Sequence, residues 1–147
     1  MRIHPVLIIA LALCGCDTHT HAPAEVEHYR APGMEDMPFS TAIRVGETLY
    51  ISGDVGVAPG TLDLVEGGIQ PETRQTMENI KSTLESFGAS MDDIVKCTVF
   101  LADISEWGAM NEVYVTYFDT PPARSALGTS GLALGARVEI ECIAVVR

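Results

Sequence analysis

The stretch Pro71–Phe118, "PETRQTMENIKSTLESFGASMDDIVKCTVFLADISEWGAMNEVYVTYF", decides the fold, because its hydrophobic period changes twice. Met77, Ile80, Leu84 and Phe87 recur at steps of three and four, which is one stripe of an amphipathic helix. Pro71 suits the first turn, Glu72 complements the N-terminal dipole and Gly88 stops the helix. Arg74, Glu78, Lys81 and Glu85 fill its outer face. "DDIVKCTVFLAD" then runs apolar and β-branched without a helical period, as a central strand does. From Asp103 the helical period returns. Asp103 or Ser105 can cap this second helix, and Trp107, Met110, Tyr114 and Tyr117 share one face.

Working outward, Ala42–Val45 and Leu49–Ser52 read as a hairpin around Gly46-Glu47. A glycine-rich loop, "APGTLDLVEGGIQ", leads from it to the first helix. Beyond the second helix, Pro121 and Pro122 forbid continuation. "ARSALG" and "ARVEIECIAVV" follow as two strands joined by "TSGLALG", read as paired in one hairpin. The order ββαβαββ predicts an α+β two-layer sandwich, a mixed sheet with two helices packed on one face. The other face is then bare and too apolar for water, which points to a second copy of the chain against it.

The chain has 147 residues with a net charge of −11, nine Lys and Arg against twenty Asp and Glu. That balance opposes nucleic-acid binding, which draws its affinity mainly from cations on phosphates. "MRIHPVLIIALALCGC" has the layout of a secretory signal, one cation and then an apolar run too short to span a bilayer. Its end, "LCGC", resembles a bacterial lipobox. Residues 1–15 are accordingly expected to be a lipoprotein signal peptide, Cys16 the lipidated residue, 16–37 a flexible linker and 38–147 the folded domain. Asp17 after Cys16 resembles a signal for retention in the inner membrane, so a periplasm-facing protein held only by a lipid anchor is expected. His19 and His21 lack acidic or cysteine partners at ligand spacing, and no metal or cofactor is expected. Cys97 and Cys142 are either small buried hydrophobes or one bridge, if their strands are neighbours.

The scarce cations direct attention to "TPPARSAL", where Arg124 follows two prolines at the start of a strand. It is either half of a salt bridge, with Glu139 as the obvious partner, or the grip for a small anion. "PARSALGTSGLALGARVEI", Pro122 to Ile140, favours the second reading. It resembles the signature of the RidA (YjgF) family of small imine-hydrolysing proteins. "LYISGDVG", "ETRQTMENIKSTLESFG", "DDIVKCTVFLAD" and "MNEVYVTYF" are similar to the family's segments in the same order, so the resemblance covers about Pro38 to Arg147.

The resemblance implies a chorismate-mutase-like fold, a homotrimer with ligand sites between subunits, and hydrolysis of 2-iminopropanoate and 2-iminobutanoate to 2-oxo acids and ammonia. It implies that Arg124 binds the substrate carboxylate and Glu139 activates water, with Ser52, Gly53, Asn111 and Phe39 lining the site. Phe39 stands where many members carry Tyr, Ala126 where many carry Cys, and Asp54 where Gln is usual. These departures keep a second reading open, a carboxylate-binding or chaperone-like protein without turnover. For the anchor, a Cys16→Ala variant is expected to lose incorporation of radiolabelled palmitate; label that persists contradicts it.

Overall fold

A computed structural model describes residues 23–146. The signal segment, Cys16, His19 and His21 lie outside them. The elements are β1 (Val26–Tyr29), β2 (Ala42–Val45), β3 (Thr48–Val55), α1 (Ile69–Ser86), β4 (Ile94–Leu101), α2 (Trp107–Tyr114), β5 (Ala123–Gly128) and β6 (Val138–Val145). One six-stranded sheet runs β1-β2-β3-β6-β4-β5, antiparallel except where β4 meets β5. The two helices pack together on one of its faces, so the α+β sandwich is as expected.

Two features differ from the sequence reading. First, β1 lies inside the segment read as linker and pairs with β2, so the sheet starts ahead of Pro38. "VEHY" is an edge strand whose backbone pairing leaves little hydrophobic signature. Its anchor is Tyr29, whose ring meets Phe87 edge-on at 5.3 Å and whose hydroxyl bonds Ser86 Oγ at 3.0 Å.

Second, β5 and β6 are not a hairpin. β4, α2 and β5 form a parallel crossover, and β6 is inserted between β3 and β4. Burial explains the choice. Val138, Ile140, Cys142 and Ala144 are all buried on one side of β6, which qualifies it for the sheet centre, whereas β5 is half-exposed and takes the edge.

The core is made by the stripe of α1. Met77, Ile80 and Leu84 are fully buried against the sheet, and Phe87 closes its end against Tyr29. Thr73 and Thr76, also buried, donate their hydroxyls to the carbonyls of Ile69 and Glu72 at 2.7 and 2.9 Å, so neither is left unsatisfied. Glu72 has a second role besides the dipole. It is buried, and its carboxylate accepts the backbone N–H of Arg137 at 2.8 Å, tying the start of α1 to the start of β6. Asp103 is the residue that caps the second helical segment, accepting from the Ser105 N–H at 2.9 Å.

Cys97 and Cys142 are register partners on β4 and β6, both buried, and joined by a disulfide. With a sequence separation of 45, the bridge removes loop entropy worth about 4 kcal/mol from the unfolded chain. Full reduction, checked by thiol titration, is therefore expected to lower the melting temperature by roughly 10 °C or more. The Cys97→Ala/Cys142→Ala variant should melt close to the reduced wild type. A melting temperature unmoved by reduction contradicts this role.

Candidate functional site

The carboxylate of Glu139 is positioned by an irregularity in β3. Ile51 pairs with Cys142 and Asp54 with Ile140, so Ser52 and Gly53 together oppose the single residue Glu141, a β-bulge. Glu139 lies over Gly53. A Cβ there would fall 3.0 Å from the Glu139 carboxyl carbon and collide with its oxygen, so any larger residue would displace this carboxylate from its present position. The Ser52 hydroxyl donates to the Ser40 carbonyl at 2.7 Å, fixing the bulge to the β1–β2 connection. Phe39, Ser52, Gly53 and Glu139 thus line one cavity of about 940 Å³ at this end of the sheet.

Two carboxyls in this cavity are displaced from ordinary values. Burial, and secondarily the neighbouring Glu141 charge, hold Glu139 above the usual carboxylate range. Burial pushes Asp54 up to about 6, against the pull of a hydrogen bond from Asn79. Asn79, on α1, points its amide at Asp54 Oδ1, the Val55 carbonyl and the Val57 carbonyl at 3.1–3.2 Å. Asp54 attracts notice in the sequence only as a departure from the family pattern; its burial comes from α1, which strand alternation in β3 does not reveal.

Arg124 stands elsewhere. It is the register partner of Cys97, so it faces the helix layer, at the sheet edge. Its guanidinium lies 4.6 Å from the centre of the Tyr114 ring and 5.7 Å from that of Trp107, stacked between α2 aromatics. On α2, two buried polar atoms, Asn111 Oδ1 and the Tyr114 hydroxyl, have no hydrogen-bond partner among the described residues. Burial raises the Tyr114 hydroxyl to about 12, so it remains a proton donor at neutral pH. Buried polar atoms of this kind usually have a partner, so these two mark α2 as part of a candidate site. Trp107 and Tyr114 enter the sequence reading only as members of a buried face. Their spacing around Asn111, four residues and then three, is the signal that places all three on one stripe.

Arg124 and Glu139 are therefore not cross-strand partners, as the hairpin reading had them. Val138 and Ile140 face the helices, so Glu139 between them faces away, on the side opposite Arg124. Nor do they form a salt bridge. Among the described residues the ion pair is Arg137 with Glu106, at 2.6 Å. The chain thus carries two separate clusters: Phe39, Ser52, Gly53 and Glu139 line the cavity, while Arg124 lies against Tyr114 and Trp107 on α2, the helix that also carries Asn111.

Comparison with known proteins shows the family of the chain. The family model described as "Endoribonuclease L-PSP" matches residues 31–146. The mouse protein named 2-iminobutanoate/2-iminopropanoate deaminase is 45% identical over 109 residues, 74% of this chain and 81% of the relative. A RutC family protein of Pyrococcus horikoshii is 44% identical over 108 residues, 73% of this chain and 86% of the relative. The crystal structure of a conserved Rid family protein from Yersinia pestis superposes with a TM-score of 0.78 at 38% identity, covering 83% of this chain and all of the other.

The Asp54 carboxyl makes a sharp stability forecast. It titrates near 6 in the folded chain and near 3.9 when unfolded, so the native state binds the proton more tightly. Its contribution is fully favourable below about pH 4 and is lost as pH rises through about 6. Asp54→Asn, which does not ionise, is expected to exceed wild-type stability at pH 8 by about 1–3 kcal/mol. The gap should close below pH 4. Denaturant unfolding at both pH values checks this, and a gap of equal size at both contradicts it.

Proposed function

The chain belongs to the Endoribonuclease L-PSP family, also called RidA, and on that premise we propose that it hydrolyses 2-imino acids to 2-oxo acids and ammonia. The observation that carries the reading is the pair of half-sites. Each is incomplete alone, and together they supply what the reaction needs. Arg124 offers a permanently charged fork, held between two rings, that matches a substrate carboxylate with two parallel hydrogen bonds. Glu139 offers a carboxylate whose raised proton affinity suits it to take a proton from water and return it.

The reaction is then short. The water oxygen attacks the imine carbon while Glu139 accepts one of its protons. Glu139 returns that proton to the imine nitrogen, giving the carbinolamine, and then carries the carbinolamine hydroxyl proton to the same nitrogen, which leaves as ammonia. The C–N bond breaks, the C=O bond forms, and no electrons are exchanged. Asn111 Oδ1, an acceptor without a partner among the described residues, is suited to the imine N–H. Tyr114 and Trp107 position Arg124 and do not touch the reacting atoms in this scheme.

Bringing Arg124 to Glu139 requires two copies, with Arg124 and Asn111 from one facing Glu139, Ser52, Gly53 and Phe39 of another. A homotrimer with sites between subunits is the assembly we propose. The exposed sheet face, which carries Tyr50, Ile43 and Ile143, is the surface it would cover. We propose likewise that Cys16 anchors the domain at the periplasmic side of the inner membrane. The family model's description names an endoribonuclease; a net charge of −11 is unsuited to a phosphate backbone.

An amino-acid oxidase generates the imine in situ, and semicarbazide traps what the protein does not hydrolyse. Arg124→Ala and Glu139→Gln should each lower hydrolysis about a hundredfold. Co-refolding the two inactive variants should restore a fraction of wild-type activity, because mixed assemblies contain sites with both residues intact. Arg124→Ala trapping no more imine than wild type contradicts the deaminase reading. Absence of restoration contradicts the shared site. Stabilisation by 2-oxobutanoate without turnover would support a binding protein instead.

A further inference from the structure

The cavity beside Glu139 is much larger than a three- or four-carbon imine needs. At about 940 Å³ it lies at the upper end of pockets that enclose drug-sized ligands. Its composition is graded. Ser52, Gly53, Asp54 and Glu139 form the polar end, while Met34, Met37, Phe39, Leu62 and Leu134 line the remainder. In the single chain Phe39, Leu62 and Leu134 are 43%, 52% and 55% exposed, so this wall of the cavity is apolar and open to a ligand or to the neighbouring copy. The two methionines give that region an adaptable, polarisable wall.

Leu134 adds an independent observation. Its φ of 58° makes it the single non-glycine residue in the left-handed region among the described residues. For a side chain branched at Cγ this costs strain, and the chain retains it at the mouth of this cavity.

We infer that the substrate side chain is bulky and apolar: a 2-imino acid with a branched aliphatic, thioether or aromatic substituent. The inference rests on the deaminase reading and narrows its substrate class. The imine carbon sits over Glu139, the substrate carboxylate points out towards Arg124 of the neighbouring copy, and the side chain runs back towards Met34, Met37 and Leu62. Charge fixes this orientation. Glu139, Asp54 and Glu78 all line the cavity, so it repels the substrate carboxylate and any acidic side chain. Phe39 also loses meaning as a defect here, because an apolar ring suits an apolar side chain.

The full-length protein is assayed by semicarbazide trapping with imines made by one oxidase from leucine and from alanine. kcat/KM for the leucine-derived imine is expected to exceed that for the alanine-derived one by about tenfold or more, since each buried methylene adds discrimination. Leu62→Arg should bring that ratio close to one, and its thermal melt reports whether it folds. In a binding readout that needs no turnover, 4-methyl-2-oxopentanoate should raise the wild-type melting temperature more than pyruvate does at equal concentration. A wild-type ratio of one or below overturns this inference and leaves the deaminase reading standing; a partner subunit filling the cavity would produce that result. An unchanged ratio in folded Leu62→Arg overturns the assignment of this cavity. Hydrolysis of neither imine overturns the deaminase reading and this inference with it.

Discussion

Strand β6 is hydrogen-bonded along both edges, to β3 on one side and β4 on the other, and its period of two governs the molecule. Val138, Ile140, Cys142 and Ala144 must face the helices because burying them supplies the core. Glu139 and Glu141 must then face away. A slip of one residue would bury two carboxylates and expose four apolar side chains, so the register is fixed by a large free-energy difference. The disulfide at Cys97–Cys142 pins the same register covalently, and Glu72 pins its beginning through the Arg137 backbone.

From that register the separation of the two functional halves follows. β5 pairs with β4 so that Arg124 stands beside Cys97, on the helix side, where α2 offers rings. The arginine is thereby held by aromatic faces, with no carboxylate in an ion pair with it among the described residues. On the other side, the Ser52-Gly53 bulge leaves room for Glu139, which likewise has no ion-pair partner among the described residues.

Much of this was legible in the sequence. The helix–strand–helix run declared itself through period, and the order of elements gave the sandwich. Phe39, Ser52, Gly53 and Glu139 line one cavity, and Arg124 on β5 lies against the α2 rings of Trp107 and Tyr114. What was not legible is long-range pairing. "TSGLALG" is short enough for a hairpin loop, and nothing local says that β6 leaves β5 for the gap beside β3. The error moved Arg124 and Glu139 onto neighbouring strands when they belong to opposite faces. The role of Asp54 was hidden for a related reason. Its environment is made by Asn79, twenty-five residues away on another element.

The edge strand β1 also bears on the proposed anchor. Its pairing with β2 includes Val26, so an anchor at Cys16 would be separated from the sheet by residues 17–25. Nine residues reach at most ~30 Å even when fully extended. Under that proposal, the point where one edge strand starts would set how far the domain could stand from a lipid surface.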